Sequence, residues 1–274
     1  MGRNIVLENL TTEAKKVYMQ PPCVWVDDVL NDSDKEILKK EATADAYDKL
    51  QLKSNTHNAF LTGKAKAIVK KTDHARVVIL SMHHHTYPWA FWGRIFQWLG
   101  VPKSGVWQIY LYSNSSERIP PDAGPVGAEH LNGGYTYPCN NDSIIIYRYE
   151  ECTRVLIHEL LHSACTDDHA KDVEDREAAT ESWAELFLVA LLSKGHMKTA
   201  YKLWKIQDHY IQDLNYTLNT YNHVHTPADY GARYTIMREK VFESFGIQLD
   251  SKHKPKRVHT SRFTSPALDA YLHN

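Results

Sequence analysis

The sequence predicts an α+β fold with a sheet-containing N-terminal half and a helical C-terminal half. Compact apolar runs typical of buried strands occur only before residue 150, whereas the later apolar patterns have helical spacing. Of the 274 residues, 43% are hydrophobic and 24% are charged. These fractions are close to the globular average, which excludes collagen, a coiled coil and a wholly disordered chain.

Strand and helix patterns alternate in the N-terminal half. Residues 76–82 (RVVILSM) form an apolar run typical of a buried strand, and two similar runs occupy 105–112 and 143–148. A helix is predicted over 36–50, and a second over the segment PWAFWGRIFQWLG, whose aromatic spacing suits a helix packed on a sheet. Glycine, proline and asparagine dominate residues 120–142, around a short extended piece at 131–136.

Helical patterns fill the second half. The predicted helices cover residues 150–165, 173–194, 197–221 and 227–245. Thr226 suits the N-cap of the last helix, with Pro227 and Asp229 in its first turn.

The end of the chain is basic and poor in apolar residues. Its cations include Lys252, Lys254, Lys256 and Arg257. We therefore expect an N-terminal α+β subdomain over 1–165, a helical C-terminal subdomain over 166–250 and a basic tail over 251–274. The tail could act as a nuclear-import signal, although a solvated segment is its simpler interpretation.

Charge and cysteine content restrict the class of protein. Thirty-two Lys and Arg against 33 Asp and Glu give a net charge of −1, so no global field favours nucleic acid or an anionic membrane. No apolar run is long enough for a signal peptide or a membrane span. The four cysteines, Cys23, Cys139, Cys152 and Cys165, lack paired spacing, which predicts reduced thiols and a cytoplasmic protein.

The segment VLIHELLHSAC, residues 155–165, carries the candidate chemistry. Its helix is apolar around most of its circumference and is therefore buried, yet it contains His158, Glu159 and His162. Buried ionisable groups without partners cost several kcal/mol, and a bound metal ion offsets that cost. At positions i and i+4, both imidazoles leave one helix face within reach of a single tetrahedral ion, with Glu159 beside it.

A third ligand is expected on the following helix, in the segment AATESWAELFLVALL. Glu181 lies there, with eighteen residues between it and His162, and Glu185 follows one turn later. Because residues 186–192 are all apolar, both carboxylates lie on a helix that becomes buried. Each of them needs a charge partner.

These residues resemble the gluzincin zinc metallopeptidases. HELLH at 158–162, eighteen intervening residues and the glutamate of TESWAE match the pattern HExxH-x18-E, with the spacing of the aminopeptidase branch. The longer string IIIYRYEECTRVLIHELLHSAC also resembles metallopeptidases of large DNA viruses. The resemblance covers about residues 143–192.

The resemblance implies a zincin-like fold with an active-site cleft between the two subdomains. It implies one catalytic Zn²⁺ held by His158, His162 and Glu181. A metal-activated water would hydrolyse the peptide bonds of a peptide or protein substrate, with Glu159 as general base. Glu185 matches no ligand position.

Substrate binding departs from the aminopeptidase pattern. Those enzymes hold the substrate amine with a Gly-x-Met-Glu-Asn segment, whereas here GAEHLNGG (127–134) occupies the comparable location, with Glu129 as the nearest equivalent. Endopeptidase and exopeptidase activity therefore both stay open. We expect an edge strand to pair with the extended substrate backbone. Its predicted residues are Leu131, Asn132, Gly133 and Gly134.

The oxyanion requires a further hydrogen-bond donor. Tyr230, Tyr234, His223 and His225 cluster at the start of the last predicted helix. In related folds a downstream Tyr or His supplies this contact, and Tyr234 is accordingly the predicted donor.

Several alternatives stay open. Asp168 stands where another zincin group places its third ligand, but Cys165 replaces the glycine at which that helix turns. The run 83–85 (His-His-His) could bind metal through at most two rings, and a strand end at the sheet surface is its simpler interpretation. Alternative functions are a catalytically silent, zinc-stabilised interaction module and a zinc amidohydrolase acting on a non-peptide amide. The oligomeric state is not predicted.

Overall fold

The structure is a computed structural model that describes residues 4–44, 46–122, 124–220 and 230–273. The chain divides into two compact units. Unit 1 comprises Met1–Pro21, Arg118–Leu131 and Asp167–Asn274, and unit 2 comprises Pro22–Glu117 and Asn132–Thr166. The predicted mixture of helices with a sheet is confirmed, since the chain combines a six-stranded mixed sheet with helices.

Unit 2 contains the sheet, whose strand order is β1-β2-β3-β4-β6-β5. The strands are β1 Val26–Asp27, β2 Lys66–Lys71, β3 Ala75–Ser81, β4 Trp107–Ser113, β5 Gly134–Tyr135 and β6 Ile144–Ile146. The β1, β2 and β3 strands pair antiparallel, β3, β4 and β6 are parallel, and β5 runs antiparallel to β6. The two-residue strand β5 is thus an edge of the sheet.

Four helices complete unit 2: α2 Asp32–Thr43, α3 Leu52–Leu61, α4 Trp89–Leu99 and α6 Cys152–Ser163. Helix α3 contacts β3 and β4, and α6 contacts β5 and β6. A hydrophobic core cluster joins the sheet to α2 and α3, with Leu38, Leu52, Tyr112, Tyr135 and Tyr147 among its buried members. Burial of this apolar surface is the main force that holds the sheet and its helices together.

Unit 1 is helical in its described part. Its helices are α1 Ile5–Met19, α5 Ala128–Leu131, α7 Val173–Leu192, α8 Met197–Asn219, α9 Tyr230–Ser244 and α10 Pro266–Asp269. Helix α7 contacts α1, α8 and α9. It is the central helix of the unit, and most of its second half is buried, as the apolar run predicts.

Two predicted elements differ from the structure. The helix expected over 36–50 ends at Thr43, and α3 begins at Leu52. The carboxylate of Asp48 accepts hydrogen bonds from the backbone amides of Leu52 and Lys53, which starts a new helix there. The strand expected over 131–136 is also wrong in extent, because Leu131 ends α5 and only Gly134–Tyr135 is strand.

The basic C-terminal segment is bound to α8 rather than loose. An imidazole nitrogen of His253 lies 2.7 Å from a carboxylate oxygen of Asp213, and the amide of Val258 donates to the Thr217 hydroxyl over 2.9 Å. Phe263, further along, is buried in the core of unit 1. In the described residues no helix has the length and apolar character needed to span a bilayer.

Candidate functional site

Helix α6 is buried along its whole length, as its apolar circumference predicts. All twelve of its residues are buried, including His158, Glu159 and His162 with exposed fractions of 7%, 5% and 8%. These three ionisable side chains therefore lie on a helix inside the protein. Such groups are retained in a core only with compensating partners.

The two imidazoles of α6 meet on one face of the helix. Nε2 of His158 lies 3.0 Å from Nε2 of His162, and the ring centroids are 4.6 Å apart. Zinc binds imidazole nitrogen at about 2.0–2.1 Å, so two nitrogens at a tetrahedral angle lie roughly 3.3–3.4 Å apart. The pair thus fits a single ion after a shift of a few tenths of an ångström.

Glu159 faces the backbone of the edge strand β5. A Cβ atom placed on Gly134 would lie 3.2 Å from Oε1 of Glu159, 2.7 Å from Cγ1 of Val155 and 2.8 Å from the carbonyl oxygen of Ile145. These contacts leave no room for a side chain at residue 134. The glycine therefore allows α6 and its carboxylate to approach the strand closely.

The end of α6 is closed by a Schellman motif. Cys165 adopts a left-handed backbone with φ of 58°, its amide donates to the carbonyl of His162, and the amide of Thr166 donates to Leu161. The helix therefore turns sharply without a glycine, so the cysteine at this position is no argument against Asp168 as a ligand. Asp168 itself is exposed and accepts a hydrogen bond from the amide of Ala170.

A disulfide bond joins Cys139, in the loop after β5, to Cys165. The expectation of four reduced thiols is therefore wrong for this pair, whereas Cys23 and Cys152 form no disulfide. The spacing of 26 residues concealed the pairing, because loop geometry brings the two together. The amide of Cys139 also donates to the carbonyl of His162 over 3.1 Å, which ties the loop to the end of the helix.

Helix α7, in unit 1, carries acidic side chains on successive turns. Glu181 is 2% exposed, Glu177 is partly buried, and Glu185 is 1% exposed. Glu185 has the partner that its burial demands, because Arg238 donates to its Oε1 and Gln207 to its Oε2. It is thus a structural residue.

The two helices carry donor groups of the kinds that zinc accepts. Helix α6, in unit 2, offers the imidazole nitrogens of His158 and His162, and α7, in unit 1, offers carboxylates. An open zinc site takes three such protein ligands and keeps its fourth position for solvent or substrate.

The other predicted site residues are distributed over both units. Tyr234 lies on α9 in unit 1, is 5% exposed, and has its ring 5.8 Å from that of Tyr230. His223 and His225, like the predicted cap at Thr226, lie outside the described residues. Of the predicted substrate strand, Leu131 is buried in the core of unit 1.

The remaining members of that strand lie in unit 2. Asn132 and Gly133 lead into β5, and Gly134 begins it. Glu129 is on α5 in unit 1, with a carboxylate oxygen 3.9 Å from Nδ1 of His130. Its place in the fold leaves the question of an amine-binding role open.

The three consecutive histidines follow the carboxyl end of β3, as the interpretation of a strand end predicts. Nε2 of His85 is 3.2 Å from the hydroxyl of Ser115, and its ring stacks on Tyr149 with centroids 3.7 Å apart. Burial, and then the nearby His83, lower the pKa of His85. The described residues hold no set of three metal ligands here.

Comparison with protein-family models, curated proteins and solved structures gives no match for this chain. The chemistry of the site is therefore argued from its own residues.

Sequence reasoning missed one buried polar cluster next to the site. Lys53, Tyr135 and Glu41 are hydrogen-bonded to one another inside unit 2. Up to 94 residues separate them along the chain, and no local pattern marks them as neighbours. Because lysine is seldom fully buried, the sequence gives no reason to place Lys53 in a core.

Proposed function

We propose that the chain is a zinc-dependent metallopeptidase of zincin-like fold, with Glu159 as its general base. The observation that carries the proposal is the 3.0 Å approach of the His158 and His162 Nε2 atoms on a buried helix. Two imidazole nitrogens that converge on one face of a buried helix are a donor pair that a divalent cation can bind.

The proposed zinc ligands are His158, His162 and a carboxylate of α7. The eighteen-residue spacing favours Glu181, and Glu177, a partly buried carboxylate one turn earlier on the same helix, is the second candidate. Glu185 is unsuited because Arg238 and Gln207 already hold it. When bound, zinc supplies a Lewis acid that polarises a carbonyl and lowers the pKa of water towards about 7.

The protein residues would then perform the remaining steps. Glu159 accepts a proton from the attacking water and returns it to the leaving amine, as a general base and acid does. Its carboxylate faces Gly134, so an extended substrate that pairs with the edge strand β5 would present its backbone to this group. Tyr234 remains the proposed donor to the oxyanion.

The experiment combines zinc stoichiometry with digestion of a peptide library. We expect one zinc per chain and cleavage that a chelator abolishes. Glu159→Gln should keep its zinc and lose roughly 10²–10⁴-fold in kcat, the usual contribution of a general base. A variant that loses its zinc together with its activity would assign Glu159 to metal binding instead.

The third ligand is identified by substitutions along α7. Either Glu177→Gln or Glu181→Gln should weaken zinc affinity by at least tenfold. Glu174→Gln is the matched control, because Glu174 lies on the same helix and is paired with Arg233 over 2.6 Å. Unchanged affinity in both variants would move the third ligand off α7 and favour Asp168.

The alternative functions are outcomes of the same experiment. Stoichiometric zinc without cleavage of any peptide would indicate the silent interaction module, whereas turnover of non-peptide amides alone would indicate an amidohydrolase. A cytoplasmic location stays a prediction, and the disulfide between Cys139 and Cys165 removes the premise of four reduced thiols.

A further inference from the structure

Three charged or polar side chains meet inside unit 2, behind the edge strand. Lys53 on α3, Glu41 on α2 and Tyr135 on β5 are 1%, 2% and 8% exposed. Nζ of Lys53 donates to the Tyr135 hydroxyl over 2.7 Å, and that hydroxyl donates to Oε2 of Glu41 over 2.6 Å. The phenol therefore bridges an ammonium group and a carboxylate.

The Tyr135 phenol is the protonated bridge of this cluster. Burial, and then the hydrogen bond with Glu41, raise the pKa of Tyr135, so the phenol keeps its proton. Lys53 donates a second hydrogen bond to the carbonyl of Ala44 over 2.7 Å and lies 4.5 Å from the centre of the Tyr135 ring. Because both charges are desolvated, the removal of one partner leaves the others poorly satisfied.

The cluster adds a side-chain anchor to a very short strand. Strand β5 has two residues, and its ladder with β6 comprises Gly134 and Tyr135. The amide of Tyr147 also donates to the carbonyl of Gly133 over 2.8 Å, but Tyr135 is the residue of β5 itself whose side chain is hydrogen-bonded to α2 and α3. Successive residues of a strand point to opposite faces. Tyr135 therefore anchors one face of β5 in the core with α2 and α3, while Gly134 presents the other face to α6.

The opposite face is the one that meets the proposed general base. The position of a Cβ atom on Gly134 is 3.2 Å from Oε1 of Glu159 and 2.7 Å from Cγ1 of Val155. A displacement of β5 by less than an ångström would change the contact between its backbone and the carboxylate. The distance between them thus depends on how firmly Tyr135 is held.

We propose that Lys53, Glu41 and Tyr135 are positioning residues that hold β5 at a fixed distance from Glu159. The inference rests on the proposed function, in which Glu159 acts as general base. None of the three touches the reacting atoms. Their effect passes through the backbone from Tyr135 to Gly134.

A matched control distinguishes a positioning role of Tyr135 from a merely structural one. Tyr112 belongs to the same hydrophobic cluster, is fully buried, and donates to the carbonyl of Leu38 over 2.6 Å. Tyr112→Phe and Tyr135→Phe each remove one buried phenol hydroxyl from the same core. Only Tyr135 lies on β5.

The first measurement is amide hydrogen exchange in the metal-free chain. In Tyr135→Phe, the amides of residues 133–136 should exchange at least tenfold faster than in wild type. In Tyr112→Phe they should stay within twofold of wild type. Lys53→Met should act in the same direction as Tyr135→Phe, and it keeps the result interpretable if one variant folds poorly.

The second measurement is steady-state hydrolysis of a library-derived peptide by the zinc-loaded chain. Tyr135→Phe should lower kcat at least tenfold and leave KM within twofold, because the substrate-binding edge persists while the base is misplaced. Tyr112→Phe should change neither constant by more than twofold. An equal loss in both variants would reduce the cluster to general stabilisation and overturn the proposal.

The two measurements test the positioning role and the proposed function separately. Wild-type exchange rates at residues 133–136 in both Tyr135→Phe and Lys53→Met would overturn the positioning role, whatever the activity. A wild-type chain that binds no zinc and cleaves no peptide would refute the proposed function, while the exchange experiment, which needs neither metal nor substrate, would still decide whether the cluster fixes β5.

Discussion

Nε2 of His158 and Nε2 of His162 are 3.0 Å apart on a helix whose every residue is buried. The i and i+4 spacing puts both rings on one face, and the apolar remainder of the helix places that face inside the protein. A local pattern in the sequence thereby brings two nitrogen atoms to within a few tenths of an ångström of the separation, roughly 3.3–3.4 Å, at which one tetrahedral zinc ion would hold them.

The close approach of β5 to α6 predicts that Gly134→Ala is disruptive. Its methyl group would overlap Cγ1 of Val155 and the carbonyl oxygen of Ile145, at 2.7 and 2.8 Å. We expect a loss of about 1–3 kcal/mol in the free energy of unfolding, as for overpacked cores, and a fall in kcat. Urea unfolding measures the first and peptide hydrolysis the second.

The control for this substitution is Gly63→Ala. Gly63 has a left-handed φ of 74° and open space around it, so alanine there is strained but meets no neighbour. It should cost about 1 kcal/mol through the backbone alone and leave kcat unchanged. Wild-type activity in Gly134→Ala would show that the glycine does not set the position of Glu159.

The disulfide between Cys139 and Cys165 predicts a redox-dependent stability. A bond that closes a loop of 26 residues restricts the unfolded chain by about 3.5 kcal/mol in the loop-entropy relation. Cys139→Ser, or a reducing agent, should lower the free energy of unfolding by a similar amount. Non-reducing peptide mapping combined with urea unfolding provides the measurement.

Cys23→Ser is the control, because Cys23 forms no disulfide and its thiol makes weak contacts, with the carbonyl of Gly93 over 3.4 Å and with Nδ1 of His74 over 4.0 Å. Its unfolding free energy should change by less than about 1 kcal/mol. Two free thiols at 139 and 165 in protein purified without reductant would contradict the pairing.

The buried ion pair of Glu185 and Arg238 predicts a strong asymmetry between single and double variants. Both side chains are fully buried, and Arg238→Met leaves the Glu185 carboxylate without its charge partner. The expected loss is about 3–5 kcal/mol, whereas the double variant with Glu185→Leu should recover most of it. A double-mutant cycle by denaturant unfolding tests this.

The same cycle separates the roles of two glutamates on α7. Glu185→Leu, alone or with Arg238→Met, should not abolish zinc binding, because Glu185 is held in the ion pair with Arg238 and is not one of the proposed zinc ligands. Additive losses in the double variant would show that the two side chains do not act as a pair.

His57 predicts a loss of stability on mild acidification. Burial, and then the charge of Lys39, lower the pKa of this α3 histidine below its usual value of about 6.5. The unfolded chain therefore binds a proton before the folded one does. The contribution of His57 is complete above about pH 6.5 and is lost as the pH falls from there through the folded pKa.

His57→Gln should accordingly flatten the fall in unfolding free energy between roughly pH 6.5 and 5. The exposed His273 provides the control, and His273→Gln should follow the wild-type curve. Denaturant unfolding at stepped pH values measures both. Parallel curves for wild type and His57→Gln would contradict the assignment.

Elements with strong local patterns could be predicted, and those held by distant contacts could not. The apolar runs in β3, β4 and β6 predict buried strands, and the apolar pattern of α6 predicts a buried helix. Strand β2, in contrast, has exposed lysines at its ends and Val69 as its one buried residue, and its pairing with β1 and β3 makes it a strand. Its identity depends on pairing, which a single sequence does not display.

The candidate site shows the same difference between residues that a local pattern predicts and contacts between residues distant in sequence. His158, Glu159 and His162 follow from helical spacing alone, whereas the partner of Glu185 lies 53 residues away at Arg238. The hydrogen bond between Lys53 and Tyr135, which anchors β5, joins two residues that are 82 positions apart in the sequence. Such contacts are products of the tertiary fold and have no signal in local periodicity.

X-ray absorption at the zinc edge of the purified, zinc-loaded chain tests the central claim most directly. The account predicts one tightly bound zinc per chain, with two imidazole nitrogens at about 2.0–2.1 Å and oxygen ligands completing the shell. Loss of both imidazole contributions in the His158→Ala/His162→Ala variant would support the assignment. Failure of the wild-type chain to retain zinc, or a first shell without imidazole, would contradict it.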